Sequence, residues 1–271
     1  MKKINVREVK RKRWLLSENL QILRIDEAQC FVQRMGIVSI FSDKILPSLA
    51  TAIYTNELPT QFEADQRVWD FAHSLMSEKK SYYGRLLKYR NVLISMKLLP
   101  YFLSLRPIPD YKRLYQSGRL SKAATSIMEL LLDSKPLMTI QIKDRLQNLK
   151  KSSKKVFERA LKELQENFLI CCAGKIAHCK CRWRFSLWSP TQNWIPQGVQ
   201  SRAQACSKTD AMNMLIEKFV YTTIKSDEKT IARFFKWPLD EVRNRVESLI
   251  EKGTILRYHY GRKTFLFKDD M

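Results

Sequence analysis

The chain has 271 residues, 45% of them hydrophobic, and carries 49 Lys and Arg against 27 Asp and Glu, a formal charge of +22. That length buries a real core in one to three domains, and only 7 Gly and 9 Pro argue against a low-complexity chain. The charge disfavours cationic partners and points to polyanions: nucleic acid, an acidic membrane surface or an acidic protein.

The first predicted element follows the run "VKRKRW", where Lys10 precedes Arg11, Lys12 and Arg13, the candidate phosphate contacts of this end. Only Trp14, Leu15 and Leu16 follow before polar Ser17 and Glu18, too short an apolar region for a signal peptide. In "RIDEAQCFVQRMG", Ile25, Ala28, Phe31, Val32 and Met35 keep helical spacing. Asp26 sits in the first turn and Gly36 ends the pattern, which predicts a helix with a glycine stop. The apolar run "IVSIF" comes next. "SYYGRLLKYRNVLISMKLLPYFLSL" reads as one long helix kinked at Pro100. Its most apolar part is broken by Lys97 and Pro100 and is too short to span a bilayer, so no membrane partner is expected. With no secretion signal, the six cysteines read as reduced thiols in a cytoplasmic, nucleoid-associated protein.

From Tyr111 the pattern becomes helix ("SKAATSIMELLLD"), short helix ("TIQIKDRLQ"), amphipathic helix ("SSKKVFERALKELQ") and a β-rich hairpin ending near Trp188. "SPTQNWIPQGVQSRAQACSKT" is the best linker candidate, with two prolines, a glycine and small polar residues. The pattern then returns as "DAMNMLIEKFVYTTI", "DEKTIARFF", "DEVRNRVESLIEKG" and "TILRYHYGRKTFLF". Val156, Ala160, Leu164, Leu169 and Ile170 match Val242, Val246, Ile250, Ile255 and Leu256 at a constant offset, with Asn167 and Gly253 in the same helix-ending place. The expected fold class is mostly α with short β-hairpins, in tandem winged helix-turn-helix units. The expected division is an N-terminal helical, winged-helix-like domain over 1–110, a winged helix over 111–190, a linker over 191–208 and a C-terminal winged helix over 209–271.

In the first of these two repeats Val156, Ala160, Leu161 and Leu164 are expected inward, leaving Lys155, Arg159 and Lys162 outward where a helix can enter a DNA groove. Interleaved Glu158, Glu163 and Glu166 also fit a plain solvated face. In the second, Val242, Val246, Leu249 and Ile250 point inward. Arg243, Asn244 and Arg245 are its candidate DNA contacts, with Arg262 and Lys263 at the hairpin tip. Cys171, Cys172, His178, Cys179 and Cys181 cluster, but their adjacent and one-apart spacing suits strand cysteines rather than a closed zinc site, so no metal is assigned. No phosphate loop, dinucleotide fingerprint, nucleophile elbow or HExxH motif is present, so no cofactor is assigned. His73, His178 and His259 are scattered; Asp43, Asp65 and Asp70 are carboxylates that serve either as a general base in a cleft or, more commonly, as caps.

The blocks "LPSLATAI", "RVWDF", "SYYGRLLKYRNVLISMKLLPYFLSL", "YQSGRLSKAATSIMELLL" and "SSKKVFERALKELQ" stand in an order and spacing that resembles the bacterial interstrand-crosslink DNA glycosylases of the AlkZ/YcaQ type, and most closely their shorter AlkZ-related branch. The resemblance spans residues 25–188. It implies a tandem winged-helix fold, duplex DNA as partner and a catalytic signature of Gln, an aliphatic residue, then Gln or Asp, after a helix-ending glycine. Here "GIVSIFSD" puts Ser39 and Phe41 at the two polar places. Serine is short and phenylalanine neither binds a proton nor orients water, so fold and DNA binding carry over and activity is in doubt. Asp43 and Asp70 are the candidate catalytic residues if the set has been replaced. The sequence therefore predicts a duplex DNA-binding protein acting in repair or regulation. An active glycosylase with a substituted catalytic residue and a scaffold for a protein partner stay as alternatives, and the oligomeric state is left open.

Overall fold

The computed structural model describes residues 5–17, 21–53, 60–85, 87, 91–146, 154–177, 184–260 and 263–268. Helix α1 (Val6–Arg13) precedes three successive arrangements of one plan. The first runs α2 (Ile25–Met35), β1 (Ile37–Ser39), α3 (Leu49–Ile53), α4 (Gln61–Ser77), β2 (Ser81–Gly84) and β3 (Val92–Ser95). After connecting helices α5 (Leu99–Leu105) and α6 (Tyr111–Gln116), the second runs α7 (Lys122–Leu132), β4 (Leu137–Met138), α8 (Thr139–Arg145), α9 (Lys154–Glu166), β5 (Ile170–Ala177) and β6 (Arg184–Pro190). After α10 (Thr191–Trp194) and α11 (Gln197–Ala205), the third runs α12 (Lys208–Thr223), α13 (Glu228–Phe235), α14 (Leu239–Glu251), β7 (Leu256–Tyr260) and β8 (Lys263–Phe267). The chain is thus mostly α with short strands.

Strand order repeats as well. The first sheet is ordered β1-β3-β2 and the second β4-β6-β5, so the short strand before the middle helix always pairs with the last strand. In the third unit a single antiparallel bridge, Ser226 to Leu266 of β8, holds that place.

The third helices of the units, α4, α9 and α14, stop in one way. Lys79, Phe168 and Gly253 take left-handed φ values of 54°, 64° and 69°. The amides of Lys79 and Lys80 donate to Met76 O and Leu75 O, those of Phe168 and Leu169 to Gln165 O and Leu164 O, and those of Gly253 and Thr254 to Ile250 O and Leu249 O. This common stop aligns the buried positions: Val68 with Phe157 and Val242, Ala72 with Leu161 and Val246, Leu75 with Leu164 and Leu249. The repeat expected from sequence is therefore displaced by one residue. Phe168, not Asn167, is the counterpart of Gly253, and Ile170 pairs with Ile255, both buried, while Leu256 is exposed. One residue turns a helix by about 100°. Hence Phe157 fills the core at 1% exposure, and Val156, expected inward, stands outside at 42%.

Three further expectations are corrected. Residues 81–105 are a hairpin followed by a helix, not one long helix. Tyr83 and Leu93 face one core while Tyr82, Val92 and Ile94 face another, and a strand buried on both faces reads as an unbroken apolar run that mimics a helix. Pro100 lies in the first turn of α5, where its missing N–H costs no bond. The 191–208 stretch, expected as a linker, is helical and packed: Pro190 and Pro196 start α10 and α11, and Trp194, Ile195, Val199 and Ala203 are buried in the core that includes α5. Finally, Arg13 is 4% exposed. Its Nη1 donates to Tyr221 O at 2.9 Å and Lys268 O at 3.1 Å, and its guanidinium lies 4.1 Å from the Tyr221 ring centroid. With Trp14 Nε1 donating to Thr222 O at 2.8 Å, it pins α1 to the C-terminal end of α12, where a cation suits the helix dipole. Arg13 is a staple and not a surface phosphate contact.

Candidate nucleic-acid interface

Of the three third helices, α4 has its outer face covered toward its C-terminal end, while Gln66, in the place of Lys155, stays exposed. Strand β5 packs on it. Gly174, at φ 128°, comes so close to Ser77 that any Cβ would collide with that side chain. His73, on the same side one turn earlier, is buried and stacks on Trp69 at 5.3 Å between ring centroids.

Helix α9 is open. Lys155 is exposed, and the Arg159 side chain keeps 83% of its exposure while its Nε lies 3.3 Å from Glu163 Oε1. Lys162 Nζ lies 3.8 Å from Glu166 Oε1. The Arg159 side of its pair is exposed, and a pair open to water in this way contributes about 0–1 kcal/mol, so a phosphate can replace Glu163 on Arg159 at little cost. Glu163 also accepts the backbone N–H of Ser121 at 3.1 Å, which brings the exposed Arg119 and Lys122 beside the helix. From α8, Lys143 Nζ stands 4.7 Å over the Phe157 ring. Arg119, Lys122 and Lys143 join the basic face only through these tertiary contacts, so sequence spacing gave no signal of them. Residues 111–190 hold 17 Lys and Arg against 6 Asp and Glu.

Helix α14 is equally open but acidic. By the shared register Asp240 stands where α9 has Lys155, Glu241 where it has Val156, Asn244 where it has Arg159 and Glu247 where it has Lys162. Arg243 pairs with Asp240 at 3.2 Å, and Arg245 is half-buried. Arg257 of β7 clamps Glu247 at 2.6 Å and Glu228 at 3.0 Å, holding the Glu247 carboxyl below its ordinary range. Residues 209–271 hold 12 Lys and Arg against 10 Asp and Glu. Arg262 lies outside the described residues, and Lys263 opens β8. On α1, Arg11 and Lys12 are exposed, with Lys12 paired to Glu8 at 2.9 Å.

The loop after Gly36 is apolar and self-satisfied. Ser39 Oγ donates to Phe41 O at 2.7 Å, and Phe41, 37% exposed, meets the edge of Trp69 at 5.8 Å. Asp43 Oδ1 accepts the amides of Ile45 at 2.7 Å and Leu46 at 3.0 Å, a turn-capping arrangement. Asp70 is half-buried in α4, and Asp65 accepts from Gln61 at 3.0 Å. Cys171 and Cys172 are buried, and burial pushes the Cys172 thiol up to about 11, so both stay protonated at neutral pH. His178, Cys179 and Cys181 lie outside the described residues, among which no group of three or more His, Cys, Asp or Glu is placed to hold a metal. No described helix is long and apolar enough to cross a membrane.

Comparison with known proteins agrees with this architecture. The Streptomyces sahachiroi DNA glycosylase AlkZ is similar in fold, with a TM-score of 0.55 over 98% of this chain and 70% of that one, at 12% sequence identity. No curated protein matches the sequence. A family model described as AlkZ related matches residues 22–236, which takes in the first two units and the third as far as the end of α13. The chain belongs to the AlkZ-related family.

Proposed function

We propose that this protein binds duplex DNA and acts in DNA repair, with each unit a winged helix and the second as the reader. The repeated order of helix, strand, helix, helix and hairpin, with the first strand paired to the last, supports the winged-helix assignment. The observation that supports this binding surface is the contrast among third helices: the outer face of α4 is covered toward its end and has Gln66 and Asp70 in the places of Lys155 and Arg159, that of α14 is mainly acidic, and that of α9 is open and mainly basic, with Glu158 among its cations. On this reading Lys155, Arg159 and Lys162 meet the groove and its phosphates, with Arg119, Lys122 and Lys143 beside them. Arg11 and Lys12 add phosphate contacts from α1. Arg243, Asn244, Arg245, Arg262 and Lys263 contribute at most peripheral contacts. Base excision is not part of this function: Ser39 is committed to a main-chain carbonyl, Phe41 offers only an apolar ring, and Asp43 caps a turn.

The test is duplex binding followed by fluorescence anisotropy across a salt series, with an acidic polypeptide as competitor. A log–log slope corresponding to several released counterions, and preference for duplex over the polypeptide, is the expected result. No binding at low salt would sink the DNA reading and turn the search to protein partners. Base release from alkylated or crosslinked duplex by the same preparation would overturn the loss of glycosylase chemistry.

A further inference from the structure

The first turns of α9 hold an aliphatic side chain that the core does not use. Val156 is 42% exposed on the flank of the helix between the buried stripe and the basic face, because Phe157 takes the inward place. Its neighbours on the helix are the exposed Lys155 and Arg159. One turn before Lys143, which reaches over Phe157, the preceding helix carries a second exposed aliphatic residue, Ile140, at 49%. In α14 the register counterpart of Val156 is Glu241, so the exposed valine is no requirement of the shared fold.

We infer that Val156 is a specificity-determining residue that packs on the C5-methyl group of thymine in the major groove. This rests on the DNA reading above. Cations within a turn bring a polyanion to this surface but carry no base information. An aliphatic tip among them is poorly suited to phosphate and matches the apolar feature of the major groove, the thymine methyl, which cytosine, adenine and guanine lack. The first turns of the helix are also the part that comes closest to base edges when a helix of this type docks. The chemistry recognised is a methylated pyrimidine edge held beside phosphates.

The test compares an A·T-rich duplex with the same duplex in which every thymine is replaced by uracil, which removes the methyl groups and keeps base pairing. The full-length protein should bind the uracil duplex about four-fold more weakly for each methyl that Val156 covers. Val156→Ala should bind both duplexes alike, at the level the unmodified protein shows on uracil, and Val156→Thr, which keeps the shape, should fall between. Lys155→Ala should weaken both duplexes by one common factor and leave their ratio intact. Equal affinity of the unmodified protein for the two duplexes, or a preference that survives in Val156→Ala, would overturn the assignment. Failure to bind either duplex at low salt would instead remove the DNA reading itself, and the inference with it.

Discussion

Helices α9 and α14 are the same object on the inside and opposite objects on the outside. Phe157, Leu161 and Leu164 of α9 occupy the places of Val242, Val246 and Leu249 of α14, and the two stop on left-handed residues with matching hydrogen bonds. Their outer positions read Lys155, Val156, Glu158, Arg159 and Lys162 in one and Asp240, Glu241, Arg243, Asn244 and Glu247 in the other, so that the charges oppose and the Glu158–Arg243 place alone reverses the trend among these. The inner residues fix a fold. The outer residues decide what that fold can touch, so the repeated topology by itself says nothing of which copy does the binding.

The strongest way to break the comparison is to attack the register on which it depends. Phe157→Ala should destabilise the protein by about 3–5 kcal/mol, whereas Val156→Ala should change stability by about 0.5 kcal/mol or less. Thermal or denaturant unfolding measures both, and equal losses would mean that the two residues had been placed on the wrong sides. A second contrast uses charge. The double variant Lys155→Glu, Arg159→Glu should lose at least ten-fold in duplex affinity, about 1.4 kcal/mol, while Asn244→Glu at the matching place of α14 should lose less than two-fold. Anisotropy at fixed salt, with circular dichroism to check folding, decides it; similar losses in both helices would return the third unit to the interface. The smallest expected effect belongs to the clamp on Glu247. Arg257 lowers that carboxyl below 4.5, so its contribution is fully present above the unfolded value and is lost as pH falls through the folded one. Glu247→Gln should therefore lower the melting temperature slightly at neutral pH, leave it unchanged at strongly acid pH, and so flatten the acid limb of melting temperature against pH. An unaltered acid limb would show that the clamp carries no linkage.

Much of this was legible in the sequence. Helix α2 and its glycine stop, the amphipathic character of α9 and α14, and the repeat linking the second and third units all follow from spacing alone. The one-residue error in the repeat arose because Val156 and Phe157 are both apolar, and no linear pattern says which of two adjacent apolar residues faces the core. The first unit was expected as a helical, winged-helix-like domain, but its hairpin was read as helix because its sheet is buried on both faces, which erased the alternation that marks a strand. Arg13 was misread for a complementary reason. A cation in a basic run has the sequence signature of a phosphate contact, and its partners, Tyr221 and Lys268, lie at the other end of the chain. Arg119 and Lys122 were invisible because they reach α9 through Glu163 and not through neighbouring positions.

The sheet β1-β3-β2 has a hydrophobic core on either side, with Val38, Tyr83 and Leu93 facing one and Ile37, Tyr82 and Ile94 the other. Such a wall cannot hinge without baring apolar surface, so the units it joins move as one body. On the DNA reading, the protein then meets its duplex as a stiff template, and any mismatch of curvature falls on the nucleic acid. Bending energy differs from one base step to the next. Preference for particular duplexes can thus arise at steps that no side chain reaches.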